Sequence, residues 1–221
     1  MKLSISNGIK AAIPSFKLGL ITYNDITVTD TPQFLQGRFQ LLIEEWLLEK
    51  EDKEVGDIPG VKEWRGLFKA FGTDPSRYRP SHEALIRRLR KDRALPSIHT
   101  AADVNNCFSV LYEVPMGIYD REKLQGDLTL RIGTSEDSYE GINGREMSMA
   151  DKFLTSDELG AFGSPIVDSK RSMVTKETKH AVQVIYLRPS QSLETCEKML
   201  ENLSDTFIKF NGGVTADLTI V

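Results

Sequence analysis

The sequence predicts a single domain of the α+β class, and three observations support this. Its 221 residues lie within the usual range for one domain. Helical apolar spacing prevails early in the chain, whereas later segments mix alternating strand patterns, turn residues and a last helix. Neither a repeat nor a low-complexity linker divides the chain, and 40% apolar residues are enough for a sizeable core. One α+β domain spanning residues 1–221 is therefore expected.

The first elements are expected to be short strands followed by helices. Apolar runs at residues 18–21 and 26–28 are bounded by turn residues, which favours strands. A helix is predicted to begin at Pro32, because the missing N–H of proline costs nothing there, with Thr31 as its cap. A shorter helix is predicted over residues 60–71. The buried stripe of the first helix is expected to consist of Leu35, Phe39, Leu42 and Trp46.

Two further helices are predicted before residue 113. One runs from Ser81, its expected cap, to about residue 90, and the other covers residues 100–112. Thr100 is expected to cap the second, with Asp103 as its reciprocal partner in a capping box. A basic strip lies along the polar side of the first of these helices and comprises Arg87, Arg88, Arg90, Lys91 and Arg93.

The rest of the chain is predicted to be mostly strand. Residues 128–132 alternate between apolar and polar, and residues 139–146 contain an Asn-Gly pair typical of a hairpin. An inner strand is expected at residues 181–187. The last helix is predicted to open at Ser190, and a closing strand follows at residues 214–220.

Composition and motifs exclude several classes of function. A net charge of -4 excludes a broadly basic nucleic-acid binder, so any such contact must be local. No apolar run approaches the roughly 20 residues of a membrane helix, and the start is too polar for a signal peptide, so a cytoplasmic protein is expected. No nucleophile elbow, phosphate loop or dinucleotide fingerprint is present. Neither a metal nor a cofactor is predicted, and no catalytic residue is assigned.

The histidines and cysteines are interpreted as structural. His82, His99 and His180 have no metal-ligand spacing, although His99 lies near the candidate pocket described below. Cys107 is expected to be a buried thiol rather than a nucleophile, because no nearby histidine or lysine would lower its pKa.

Two features could carry function. The basic strip is either a solvated helix face or a surface that contacts phosphates through local arginines. The second feature is the pair Asn105-Asn106 inside a helix, where asparagine is a poor helix former but its amide can both donate and accept. Adjacent helical residues point about 100° apart, so at most one of the two faces the core squarely.

Several motifs resemble the B3/B4 region of the phenylalanyl-tRNA synthetase β subunit. Residues 98–107 read IHTAADVNNC and residues 113–120 read EVPMGIYD, with the spacing of that family and no gap. Residues 160–164, GAFGS, are similar to the family's Gly-x-x-Gly-Gly turn, and residues 174–179, VTKETK, to its Val-Thr-Glu-Glu-Thr-Lys stretch. The resemblance extends over residues 80–189. It implies a supporting N-terminal segment, 1–75, and an editing-like part, 76–221.

In the synthetase this region is the editing domain, which hydrolyses tRNA carrying the wrong amino acid. The resemblance therefore implies a freestanding domain that acts in trans on the aminoacylated 3′ end of tRNA. No DNA or membrane partner is expected. The implied tRNA contacts are Arg87, Arg88 and Arg131, the last equally explained by a surface ion pair. The implied pocket residues are Asn105, Asn106, Pro115, Met116, Gly117, Gly163 and Gln183.

The chain departs from the family at three polar positions, the first being Asn105, which stands where the family has a threonine. Gly117 replaces a histidine, and Gln183 or Val184 falls where a pocket glutamate is expected. Because a site that loses hydrogen-bonding partners also loses selectivity, tyrosine is not the expected substrate. Two alternatives stay open: a module that binds tRNA or an amino acid without turnover, and a hydrolase or lyase acting on another small amino-acid derivative.

Overall fold

The computed structural model describes residues 1–221 and contains helices and strands in an α+β arrangement. The helices are α1 (Asn7–Ala12), α2 (Gln33–Glu49), α3 (Pro59–Ala70), α4 (Ser81–Asp92), α5 (Thr100–Leu111) and α6 (Leu193–Asn211). The strands are β1 (Leu3–Ile5), β2 (Leu18–Asn24), β3 (Met116–Asp120), β4 (Leu128–Ile132), β5 (Ser138–Glu140), β6 (Glu146–Ser148), β7 (Phe153–Asp157), β8 (Gly160–Gly163), β9 (Ala181–Tyr186) and β10 (Val214–Ile220). None of the helices combines the length and the apolarity that crossing a bilayer requires.

The strands form two four-stranded sheets and one separate hairpin. The first sheet has the order β1-β4-β7-β8, with β1 parallel to β4 and the other pairs antiparallel. The second sheet is antiparallel throughout, with the order β10-β2-β9-β3, so β3 is an edge strand. Strands β5 and β6 form the hairpin. Residues 1–75 thus supply one strand to each sheet, whereas the proposed boundary at residue 75 stays a prediction.

The second sheet is the middle layer of the molecule. On one face, Leu20, Val182 and Val184 pack in a core cluster with apolar residues of the first sheet. On the other face, Ile21 and Ile185 belong to a second cluster with the apolar sides of α2, α5 and α6. Because both faces are covered, every residue of β9 is buried. This explains why its sequence lacks the polar alternation of a half-exposed strand.

The predicted helices are confirmed, but their starts differ from the expected caps. Thr31 does not cap α2, since no side chain caps that helix and the Thr31 hydroxyl donates to Asp103 Oδ2 at 2.6 Å. The cap of α5 is His99, whose Nδ1 accepts the N–H of Ala102 at 3.1 Å. Thr100 instead donates its hydroxyl to Asn211 Oδ1 at 2.6 Å. Distant partners have replaced the local hydrogen bonds that sequence spacing predicts.

Three other local predictions need correction. Ser81 is the first residue of α4 rather than its cap, and the residue before it is Pro80. The last helix is capped by Ser192, whose side chain accepts the N–H of Thr195. The Ser190 hydroxyl instead donates to Glu63 Oε2 at 2.6 Å. Residues 26–28 form no strand, although the N–H groups of Ile26 and Thr27 donate to the carbonyls of Lys179 and Asn211. The strands predicted at 128–132, 181–187 and 214–220 and the hairpin over 139–146 are confirmed.

Candidate functional site

An open cavity of about 390 Å³ lies beside the N-terminal half of α5 and the edge strand β3. Residues from the loop between β5 and β6 and from the segment before β9 complete its wall. The apolar lining consists of Ile98, Ala102, Ile118, Ile142, Met173 and Val174. Several of these large apolar side chains are exposed to solvent, including Ile98 at 54% and Ile142 at 52%. A concave site lined by solvent-exposed apolar side chains is typical of a small-molecule pocket.

Asp168 is the charged residue of this cavity, and sequence reasoning missed it. Its Oδ1 accepts a hydrogen bond of 2.6 Å from the Tyr119 hydroxyl. Burial raises the pKa of Asp168 to about 7, and the hydrogen bond from Tyr119 offsets part of that effect. Burial also raises the pKa of Tyr119 well above its usual value, so its hydroxyl stays a donor. The carboxyl group can therefore gain or lose a proton near neutral pH.

Gly117 and Gly163 make room for the Asp168–Tyr119 pair. A Cβ atom at Gly163 would collide with the Tyr119 hydroxyl. At Gly117 it would collide with that hydroxyl and also lie 2.9 Å from Asp168 Oδ1. The predicted pocket residues Gly117 and Gly163 thus lie behind the cavity lining rather than in it. The space that a side chain at position 117 would fill is taken by the Tyr119 hydroxyl, with the Asp168 carboxyl group beside it.

Asn105 and Gln183 belong to a buried hydrogen-bond network. Asn105 Oδ1 accepts from Gln183 Nε2 at 2.9 Å, and Asn105 Nδ2 donates to the carbonyl of Met116 at 3.2 Å. The Tyr23 hydroxyl donates to Gln183 Oε1 at 2.9 Å. Gln183 and Met116 lie behind the cavity and are not part of its lining. Asn105 does contribute to the lining. Buried amides that are fully paired fix the positions of β3 and β9 relative to α5.

Asn106 differs from its neighbour in having a free amide. It lines the cavity and is only half-buried, and its side chain makes no hydrogen bond within the chain. The two asparagines therefore divide as helix geometry requires, one towards the core and one towards the cavity. Asn106 keeps donor and acceptor capacity for a ligand.

His99 also lines the cavity, but it is not a base there. Its Nδ1 is occupied by the N–H of Ala102 at the start of α5, so its Nε2 carries the ring proton. Burial lowers the pKa of His99, which keeps the ring neutral at pH 7. The Nε2–H group of His99 can consequently donate a hydrogen bond. It cannot accept a proton from water, because that nitrogen already carries one.

The arginines predicted to contact tRNA are paired with acidic residues. Arg87 lies 2.9 Å from the fully buried carboxylate of Glu83, which Arg65 also contacts at 2.8 Å. Arg131 binds both oxygens of Asp137 at 2.7 Å.

Arg88 is the loosest of the three, since it lies 3.5 Å from Asp92 and both side chains are largely exposed. None of these arginines lines the cavity.

The remaining candidates belong to the core. Pro115 is buried, and its carbonyl accepts the N–H of Tyr186 at 3.0 Å. Cys107 is buried and burial raises its pKa to about 12, which confirms the structural interpretation of this thiol. His82 is fully buried, and burial lowers its pKa to about 3.

The architecture is that of a layered α+β domain with an open cavity at a sheet edge. The chain belongs to the B3/4 domain family, whose model matches residues 63–220. It is 27% identical over 217 residues to the uncharacterized protein YhzB of Bacillus subtilis (strain 168), with 96% of each chain covered.

Phenylalanine–tRNA ligase β subunits are also similar. Those of Bartonella henselae and Fusobacterium nucleatum are 25% and 24% identical over 122 residues, which is 54% of this chain. The matched part is 15% of the length of each ligase subunit. An N-terminal fragment of the phenylalanyl-tRNA synthetase β subunit from Pyrococcus horikoshii gives a TM-score of 0.47 at 15% identity, covering 97% of this chain and 50% of that fragment.

Proposed function

We propose that this B3/4 domain protein hydrolyses the ester bond between a wrong amino acid and its tRNA, acting in trans. One observation carries the proposal: a carboxyl group whose pKa lies near 7 faces an open, apolar-walled cavity beside a free amide. A general base works best when its pKa is close to the working pH. The similarity to phenylalanine–tRNA ligase β subunits supports an aminoacylated tRNA as the substrate.

Asp168 and Asn106 supply the two functions that ester hydrolysis needs. Asp168 accepts a proton from a water molecule while the water oxygen attacks the ester carbonyl carbon. The Asn106 amide donates a hydrogen bond to the oxyanion that develops on the carbonyl oxygen. When the intermediate collapses, the bond to the tRNA oxygen breaks and Asp168 returns the proton to that leaving oxygen. The products are a free amino acid and uncharged tRNA.

The side chain of the misplaced amino acid would occupy the apolar part of the cavity. Ile118, Met173 and Val174 offer no hydrogen-bonding side chain to it. Gln183, one of the two residues that could stand at the position of the expected glutamate, uses its amide to hydrogen-bond Asn105 and Tyr23. An apolar side chain therefore suits this pocket better than a phenol, because a phenol hydroxyl there would lose its hydrogen bonds to water.

A panel of separately charged tRNAs tests this function. The protein is incubated with each aminoacyl-tRNA, and the loss of ester is measured against buffer. We expect accelerated loss for at least one mischarged pair carrying an apolar amino acid. No acceleration for any pair would refute hydrolysis.

The alternative is a module that binds tRNA or an amino acid without turnover. The loss of the family's pocket histidine at Gly117 and of its glutamate at Gln183 or Val184 favours this alternative. Retention of charged tRNA in a filter-binding assay, with no loss of ester, would support the module. A complete lack of tRNA binding at low salt would contradict both RNA-based functions.

A further inference from the structure

The outer face of α2 is apolar although nothing in the chain covers it. Phe34, Leu41 and Leu48 recur at intervals of seven residues and are 65%, 59% and 68% exposed. The opposite side of the helix is anchored in the core by Leu35, Phe39, Ile43, Trp46 and Leu47. A seven-residue repeat keeps such side chains on one face, as in the seam of a coiled coil. We refer to Phe34, Leu41 and Leu48 as the outer strip.

We propose that the outer strip binds the same strip of a second copy of this chain, with the two α2 helices antiparallel. A two-fold axis beside Leu41 would place Leu41 against the partner's Leu41. Phe34 would then face the partner's Leu48, because both residues lie seven positions from Leu41 in opposite directions. The strip is therefore complementary to itself.

Charges beside the outer strip point to the same partner. Arg38 and Glu45 are exposed, form no ion pair within the chain and flank the strip on one side. They lie three residues before and four residues after Leu41. In an antiparallel pair, a residue before Leu41 lies beside a residue of the partner at a similar distance after Leu41 on the same side. Arg38 of each copy would therefore lie beside Glu45 of the other copy, which gives two ion pairs. Two such ion pairs, one on each side of the two-fold axis, favour this antiparallel arrangement over other alignments of the strip.

The backbone beside the strip also permits close approach. Gly37 lies in α2 next to Arg38 and is exposed, and a Cβ atom added there would meet nothing within 4 Å. A helix face without a side chain at that point lets a second helix pack close. The strip lies outside the lining of the cavity that holds Asp168, so this proposal is independent of hydrolysis.

Sedimentation equilibrium of the full-length protein tests the proposal with four variants. We expect a dimer for the parent protein and a monomer for Leu41→Glu, with unchanged circular dichroism. Leu159→Glu is the matched control, because Leu159 is 60% exposed and lies far along the chain from α2, between β7 and β8; it should stay dimeric. Arg38→Glu should weaken the dimer at least tenfold, and adding Glu45→Arg should restore it.

Several results would overturn the proposal. A parent protein that stays monomeric at its highest soluble concentration would do so. So would a dimer that survives Leu41→Glu, or one that the double charge exchange fails to restore. A monomer that instead binds phosphatidylcholine vesicles through the strip would assign α2 to a lipid surface.

Discussion

The cavity beside α5 and the basic strip on α4 both present polar side chains, yet they differ in how those side chains are partnered. In the basic strip, Arg87 is held by a buried carboxylate and Arg88 by Asp92. In the cavity, Asn106 has no partner, and Asp168 titrates near neutral pH. Hydrogen-bonding groups without a partner in the fold, rather than the density of charge in the sequence, thus indicate where a ligand can bind.

The largest effect is expected for Asp168→Asn. Removing the proton acceptor should lower the rate of ester hydrolysis by about 10²- to 10⁴-fold, the usual contribution of a general base. The measurement is ester loss from the best substrate of the panel at saturating enzyme. Asp217→Asn, an exposed carboxylate on β10, is the matched control and should keep the parent rate. An active Asp168→Asn protein would remove Asp168 from the mechanism.

Asn106→Ala should separate activity from stability. Loss of an oxyanion donor is expected to lower the rate by about 10²- to 10³-fold. The free energy of unfolding should hardly change, because the Asn106 amide has no partner in the fold. Asn105→Ala is the comparison: it leaves Gln183 unpaired in the core and should cost about 1–3 kcal/mol of stability. Denaturant titrations of both proteins check this contrast, and equal stability losses would contradict it.

Gly163→Ala should disturb the Asp168–Tyr119 pair from behind. The new Cβ atom collides with the Tyr119 hydroxyl, and overpacking of this kind costs about 1–3 kcal/mol. Gly66→Ala is the control, because nothing lies within 4 Å of a Cβ atom there in the interior of α3. It should be stabilising by about 0.5–1 kcal/mol. Thermal unfolding of the two variants should therefore shift in opposite directions.

The raised pKa of Asp168 predicts how stability depends on pH. Between about pH 7 and pH 4, Asp168 is protonated in the folded protein but ionised in the unfolded chain. Acidification over this range therefore stabilises the fold through this group. The lowered pKa of His82 acts in the opposite sense over nearly the same range, since only the unfolded chain binds that proton. As the pH falls from 7 to 4, the free energy of unfolding of the parent protein should therefore rise by about 1.4 kcal/mol per pH unit relative to that of Asp168→Asn. Urea titrations at several pH values measure the difference, and a constant difference would disprove the assignment.

The smallest effect is expected on the basic strip. Arg88→Ala should reduce tRNA affinity by a few-fold and lower the salt slope by about one unit, because it removes one phosphate contact. Its stability should change by less than about 1 kcal/mol, since the exposed pair with Asp92 contributes little. Filter binding over a salt series gives both quantities. An affinity equal to that of the parent protein would leave α4 as a solvated face.

Sequence periodicity predicted most of the fold but only part of the site. Sequence patterns predicted α5 and β9 because burial determines the order of apolar residues along the chain. The helix α5 shows helical apolar spacing, and β9, which is buried on both faces, shows a nearly continuous apolar run. Helix caps were less predictable: Thr31 has the right chemistry, but Asp103, 72 positions away, takes its hydroxyl. Asp168 lies in an aperiodic segment, and only the fold buries it against Tyr119. The one sequence signal that could have indicated it is indirect, namely glycine at positions 117 and 163.

The pH dependence of ester hydrolysis reveals directly whether Asp168 is the proton acceptor. With the best substrate of the panel, the rate of the parent protein should rise about tenfold per pH unit below 7 and level off above it, because Asp168 acts only when ionised. Asp168→Asn should be slow throughout and show no such rise. A parent profile without a change of slope near pH 7, or the same profile in the variant, would contradict the claim that Asp168 is the proton acceptor.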